Sequence, residues 1–183
     1  GVSIDITEQR EQSMLIRHMA QHDGLTDLPN RVLFASLLEQ ALDHARRGRT
    51  VLAVLFIDLD GFKAVNDGHG HEAGDAVLRE TAVRIRTTLR ASDRAGRIGG
   101  DEFAAFLQDL SKVDDAALVA EKLIAAIEEP VDWGGTQLGV SASIGLSSYP
   151  SCGADARALL RLADEAMYRA KRSGKGRVDQ SRS

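Results

Sequence analysis

Two carboxylates stand directly beside two glycines in Arg97-Ile98-Gly99-Gly100-Asp101-Glu102-Phe103. The flanking segments 93–98 and 103–107 read as short strands, so this stretch reads as a tight hairpin. Glycine tolerates the positive φ that such turns demand. A turn alone does not require an acidic pair. Bare backbone lets a ligand approach closely, and carboxylate oxygens bind hard cations. A metal-bound polyphosphate lying over the hairpin would use both features, whereas the blander reading is a Gly-Gly turn with a solvated acidic rim.

A second acidic stretch, Asp58-Leu59-Asp60-Gly61-Phe62-Lys63, follows a run over 51–57 that is apolar on both alternating faces. Such a run is a central strand covered on both sides, and it carries Asp58 out of the core at its C-terminal end. From there the elements run strand, helix, strand, strand, helix, strand, with a further helix behind. That order is the split βαβ arrangement of a ferredoxin-like βαββαβ sheet, an α/β (α+β) fold. It sets the first strand beside the hairpin and brings Asp58 near Asp101. Two carboxylates from neighbouring strands on one cation is an arrangement used for nucleotidyl transfer with Mg²⁺.

The remaining elements frame this centre. Val2, Ile4 and Ile6 alternate like the tail of a strand, and Thr7 can cap a helix running to His22. Its stripe of Leu15, Ile16 and Met19 is narrow, which suits a linker that pairs with a copy of itself, or a helix lying on its own domain. The segment 23–31 is dense in turn residues, and Asn30 is placed to cap a helix with core positions Phe34, Leu37, Leu38, Ala41, Leu42 and Ala45. Residues 66–71 read as a polar loop before a helix from Glu72 to Arg90. Ser111 and Asp114 read as a capping box. Leu138, Val140, Ala142 and Ile144 read as a half-buried strand, and Leu160, Ala163, Met167 and Ala170 as the core stripe of a last helix ending at Gly174.

Composition narrows the function classes. The 183 residues carry a net charge of −4, which argues against binding nucleic acid through a broad basic face. No run approaches a membrane span and no stretch has the build of a signal peptide. The single cysteine, Cys152, cannot form an internal disulfide, so a reducing, cytoplasmic setting is expected, although a parent protein could be membrane-attached.

Together, the hairpin, the 23–31 segment, Asp58 to Lys63, Asn66-Asp67, Gly70-His71, Gly74-Asp75 and Ala163-Asp164-Glu165-Ala166-Met167-Tyr168 with Ala170-Lys171 form an ordered set of blocks. In them the chain resembles the GGDEF-domain diguanylate cyclases of bacterial signal transduction over roughly 23–177. The resemblance implies the palm-type sheet of nucleotidyl cyclases and the condensation of two GTP into cyclic di-GMP between the two halves of a homodimer. It implies Mg²⁺ (or Mn²⁺) held by Asp58, Asp101 and the Leu59 carbonyl, with Glu102 either assisting the metal or supporting the turn. Asp101 would be the base, with Lys63 near the transferred phosphate and Lys171 and Lys175 on the terminal ones. Gly99 and Gly100 would admit the substrate. Asn66 and Asp75 would read guanine, since an amide offers donor and acceptor and a carboxylate accepts from ring N–H and amine. His71 would lie in the substrate pocket.

The resemblance further implies product inhibition at Arg90-Ala91-Ser92-Asp93, an R-x-x-D site for cyclic di-GMP. Its plainer reading is a helix-terminal Arg before a strand-opening Asp. Other residues are read more plainly too: Asp60 supports the strand end, Asp67 shapes its loop, and His69 with His71 is no metal pair because glycines flank it. Lys171 and Lys175 alone would read as a solvated helix end. Residues 2–9 resemble the close of a PAS sensory domain, so 1–22 is expected to be a sensory tail and linker helix, and 23–183 the catalytic domain. The competing readings are a silent domain that senses GTP or cyclic di-GMP, and an inert scaffold. Intact motifs favour the enzyme.

Overall fold

A computed structural model describes residues 2–181. In chain order the elements are α1 (Val2–Gln21), α2 (Arg31–Gly48), β1 (Val51–Asp60), α3 (Phe62–His69), α4 (His71–Thr88), β2 (Arg94–Arg97), β3 (Glu102–Leu110), α5 (Asp114–Glu128), β4 (Val131–Trp133), β5 (Thr136–Leu138), β6 (Ser141–Tyr149), α6 (Ala156–Arg172) and β7 (Val178–Gln180). The main sheet has the order β2-β3-β1-β6-β7. β1 is antiparallel to both β3 and β6, as the ferredoxin-like order requires. β7 adds a parallel edge strand, and β4 with β5 forms a separate hairpin.

β1 feeds two cores because successive side chains leave a strand on opposite faces. Ala53, Leu55, Ile57 and Leu59 join Val77, Leu78 and Ile85 of α4 and Leu123 and Ile127 of α5. Leu52, Val54 and Phe56 join Phe34, Leu38 and Leu42 of α2 and Leu159, Ala163 and Met167 of α6. Each of these side chains other than the alanines contributes roughly 1.5–3 kcal/mol on burial. The strand is thereby held from both sides up to Asp60, whose even-numbered neighbours, Asp58 included, face α6.

Several expectations are corrected. The strand expected over 2–6 is helix from Val2 onward. No described strand is available to pair with it, and a helix satisfies its own backbone groups. The side chains of residues 2–4 and the expected limit at 183 lie outside the described residues. Residues 66–69 are the end of helix α3 rather than a loop, and α4 stops at Thr88, before Arg90. The capping box is not formed: α5 opens at Asp114 after Val113 with no side-chain cap, its first amides served by Lys112 and Val113 carbonyls. β6 is buried on both faces rather than half-buried. Ser143, between the apolar positions of the expected alternation, is buried and its Oγ donates to Asp60 Oδ2 at 2.7 Å; further along, buried Ser147 Oγ donates to the Leu159 carbonyl at 2.7 Å.

Asn30 does cap α2, accepting from the Leu33 amide at 3.0 Å. Its own amide reaches back to the Ala20 carbonyl at 2.8 Å, which ties the end of α1 to the domain. Along α1, Met14, Leu15, Ile16 and Met19 are exposed.

α6 lies unusually close to β6 at Gly145. A Cβ there would stand 1.8 Å from the Ala163 carbonyl oxygen and 2.2 Å from the Met167 amide nitrogen. Both obstacles are backbone, so relief requires the helix to move. Gly145→Ala is therefore expected to destabilise the fold by about 1–3 kcal/mol or more, read as a lower urea midpoint. A midpoint equal to wild type would show that α6 is free to withdraw at little cost.

Candidate active site

The end of β1, the β2–β3 hairpin, the start of α3 and the end of α6 enclose a cleft of about 490 Å³. Leu59, Asp60, Lys63, Asp67, Asp101, Lys171 and Lys175 are among its lining residues. The Leu59 amide donates to the Asp101 carbonyl at 3.2 Å, which pins the hairpin tip to the end of β1. Glu102 stands opposite Asp58 in the β1–β3 register, on the same face of the sheet. Five of the residues expected to meet, Asp58, Leu59, Asp101, Lys63 and Lys171, thus do gather at one end of the sheet, with Lys175 on the rim. Asp67 was read as shaping a loop, and it faces the same cleft.

The electrostatics of this end are dominated by negative charge. The Lys171 ammonium lies 2.9 Å from Asp58 Oδ1 and 3.8 Å from Asp60 Oδ1. Lys171 is thus no solvated helix end. Burial above all pushes the Asp58 carboxyl up to about 6, with Lys171 pulling against it and Asp101 and Glu102 adding to it. Burial raises Glu102 as well, and Asp164 and Asp101 add to that. For Lys171, burial favours loss of the proton, but Asp58, Asp60 and Asp101 outweigh it and hold the charge, so its pKa is raised. Asp60 Oδ2 is satisfied by Ser143 Oγ and by the Gly176 amide at 3.1 Å. Asp58 Oδ1 has only the Lys171 ammonium at 2.9 Å, and Asp60 Oδ1 is buried with no hydrogen-bond donor.

Buried, donor-poor carboxylate oxygens are the chemistry a hard divalent cation satisfies. Among the described residues no three His, Cys, Asp or Glu side chains converge into a ready-made cage. That fits Mg²⁺, which is commonly held by one or two carboxylates with the rest of its shell from water and substrate phosphates.

Neither Gly99 nor Gly100 has the positive φ expected of it. The connection between β2 and β3 spans 98–101 and is wide enough for ordinary backbone angles. At Gly100 a Cβ would meet nothing within 4 Å, so the glycine leaves the backbone bare.

The hairpin is held by a side chain to which sequence reading assigned no role. Arg97 Nε donates to the Gly99 and Gly100 carbonyls at 3.2 and 3.1 Å, and Nη2 to Gly100 at 2.7 Å. Its Nη1 donates to both Asp23 oxygens at 3.1 Å. Asp23 also accepts from the Thr26 amide and hydroxyl at 2.8 and 2.7 Å. No spacing pattern signals a pair so far apart in the chain.

Asn66 on α3 and Asp75 on α4 are both half-buried, on the two helices that meet at Gly70, and neither is among the residues lining the cleft. His71 is exposed at the first position of α4 and is not among the residues lining the cleft. Arg90 is exposed in the turn between α4 and β2 rather than ending the helix. Asp93 is buried, accepting the Arg90 amide at 3.1 Å and the Gln108 amide at 3.2 Å.

Burial raises the Asp23 carboxyl, but the Thr26 bonds and the Arg97 guanidinium more than offset this, and its pKa is lowered. A depressed carboxylate stabilises the fold above its unfolded pKa and loses that contribution as pH falls through the folded one. Asp23→Asn is expected to cost about 1–2 kcal/mol at neutral pH. The gap in urea unfolding should close as pH drops below the usual carboxylate range. A gap that persists in acid would remove the charge from the account.

Comparison with known proteins places this geometry in context. The family described as the diguanylate cyclase GGDEF domain matches residues 20–177. The protein named bifunctional diguanylate cyclase/cyclic di-GMP phosphodiesterase MucR, from Pseudomonas aeruginosa, is 48% identical over 157 residues, covering 86% of this chain and 23% of MucR. The chain therefore spans only a part of that relative. A solved GGDEF domain of TpbB from the same species is 46% identical, with a TM-score of 0.85 over 87% of this chain and 94% of that one. The coiled coil and GGDEF domain of DgcB from Caulobacter crescentus, solved with cyclic di-GMP, has 28% identity and a TM-score of 0.88 over 97% of this chain and 94% of that one.

Proposed function

The chain belongs to the GGDEF diguanylate cyclase family, and from that premise we propose that it condenses two GTP into cyclic di-GMP. Each 3′-hydroxyl attacks the α-phosphorus of the other nucleotide, the bond to the β-phosphate breaks, and two pyrophosphates leave. The observation that carries this reading is the meeting of Asp58 and Asp101 beside a cleft lined by Lys63, Lys171 and Lys175.

Phosphoryl transfer needs its developing charge on oxygen compensated and its reactants positioned. The lysines compensate charge on the phosphates, Lys63 at the transferred group and Lys171 and Lys175 on the terminal ones. Asp101, at the hairpin tip, takes the proton of the attacking hydroxyl, and the bare backbone of Gly99 and Gly100 lets the nucleotide lie close. Asn66 and Asp75 read guanine. When bound, Mg²⁺ (or Mn²⁺) supplies Lewis-acid polarisation of a phosphoryl oxygen; Asp58, Asp101, the Leu59 carbonyl and Glu102 are the groups that would hold it. His71 borders the guanine end from the N-terminus of α4.

One chain supplies one GTP, so turnover requires a second copy. The exposed Met14, Leu15, Ile16 and Met19 of α1 offer that copy an apolar stripe. The N-terminal helix is then the linker from a sensory domain. No helix among the described residues is long and apolar enough to cross a membrane.

The test is incubation of the purified chain with GTP and Mg²⁺ over a dilution series, followed by chromatography for cyclic di-GMP. Product should form, with specific activity rising with protein concentration. Asp58→Asn and Asp101→Asn should each keep the fold and lower turnover by about 10²-fold or more. Wild-type rates in either variant would refute its role. GTP binding without product at any concentration would establish the alternative, a silent domain that senses its nucleotide.

Feedback at Arg90 and Asp93 extends the same reading. The Arg90 guanidinium is free of recorded partners among the described residues, and a guanidinium fork suits a guanine edge or a phosphate. Asp93, already accepting two backbone amides, shapes the turn that presents it. Arg90→Ala should leave initial turnover near wild type and straighten a progress curve that otherwise bends as cyclic di-GMP accumulates. Equal curvature and equal cyclic di-GMP affinity in the variant would place feedback elsewhere.

A further inference from the structure

Gly74 lies one turn into α4 and is buried against α3. A Cβ built on it would stand 1.9 Å from Asn66 Oδ1 and 2.9 Å from Asn66 Cγ, with Phe62 Cζ at 3.3 Å. The place where any other residue would put its first side-chain carbon is therefore filled by the Asn66 amide. Gly74 has no positive φ, so no backbone conformation requires glycine here. Within a helix, glycine costs roughly 0.5–1 kcal/mol relative to alanine. Neither local ground requires glycine; the neighbouring amide is what chiefly opposes a larger residue, with Phe62 Cζ having to give by a few tenths of an ångström.

Among the described residues nothing hydrogen-bonds the Asn66 amide, so its position depends on packing. The backbone supports this arrangement: the Gly70 amide donates to the Asn66 carbonyl at 2.9 Å and the Gly74 amide to the Gly70 carbonyl at 3.3 Å. These bonds set α3 against α4, and the missing side chain at Gly74 opens the slot into which Asn66 fits. Asp75, the other guanine-reading group, follows Gly74 directly.

We propose that Gly74 is the positioning residue for base selectivity: by having no side chain it seats the Asn66 amide against the turn of α4 that carries Asp75, so that the two can read guanine together. This rests on the proposed role of Asn66. A methyl at position 74 displaces the far end of a flexible side chain, which can rotate away, so the fold accommodates it. The displaced amide no longer faces the base. The loss then falls on nucleotide recognition, with the phosphate cleft and its carboxylates unchanged.

The experiment compares Gly74→Ala, Asn66→Ala and the double variant, reading GTP and ATP affinity by titration calorimetry, KM and kcat by turnover, and thermal unfolding. Gly74→Ala should weaken GTP binding and raise KM by about tenfold or more, reduce the preference for GTP over ATP, and leave kcat and melting temperature near or above wild type. The double variant should bind GTP no worse than Asn66→Ala alone, because the two changes remove the same contact. If Asn66→Ala binds GTP with wild-type affinity and preference, the guanine-reading assignment itself fails. If Asn66→Ala loses affinity while Gly74→Ala keeps it, or if the two losses add, Gly74 does not act through Asn66 and the proposal is overturned. A fall in melting temperature matching the loss of affinity would likewise overturn it, as a folding effect.

Discussion

One ammonium among several buried carboxylates is the interaction on which the rest of this structure depends. Lys171 reaches Asp58 and Asp60 at the end of β1, while Asp101 and Glu102 add charge from the hairpin alongside. Burial above all, with the neighbouring Asp101 and Glu102, outweighs the pull of Lys171, and the Asp58 carboxyl responds with a pKa raised to about 6. A fold maximising its own stability would place fewer carboxylates there, since removing charge from water costs free energy unless a partner compensates it. Under the proposed function, that uncompensated negative charge is what a divalent cation would meet.

Two features of packing keep that interaction in place. β1 is gripped by separate cores on its two faces, so its acidic end projects from a rigid strand. The close approach of α6 at Gly145 then fixes the height at which Lys171 meets Asp58. The hairpin bearing Asp101 is held independently, by Arg97 spanning its two glycine carbonyls and Asp23. Because Asp23 follows closely on α1, the same ion pair ties the N-terminal helix to the hairpin tip.

Glycine acts here through absent volume more than through backbone freedom. At Gly145 the space is taken by a helix backbone, at Gly74 by an amide, and at Gly100 it is left open. Gly70 is different: its φ of 89° makes the corner between α3 and α4. The Gly-Gly pair of the hairpin was read as a demand for positive φ, and the wider 98–101 connection removed that demand.

From the sequence alone came the strand-helix-strand-strand-helix-strand order of the main sheet, the central strand at 51–57, the capping of α2 by Asn30, the candidate acidic and basic residues and the family resemblance. Each rests on neighbouring residues: an unbroken apolar run, a helical period, a cap beside its helix, a motif. Only the tertiary structure decided that β6 is buried on both faces, that β7 joins it, that residues 66–69 continue a helix, and that Lys171 turns inward to Asp58. It alone paired Arg97 with Asp23 and set Asn66 in the slot of Gly74. These outcomes depend on which distant residue fills a space or meets a charge. Ser143 looks solvent-facing until Asp60 accepts its hydroxyl, and a lysine at a helix end looks solvated until a strand brings carboxylates beneath it. Periodicity reports which side of an element is apolar, whereas the partner packed against that side is a property of the folded chain.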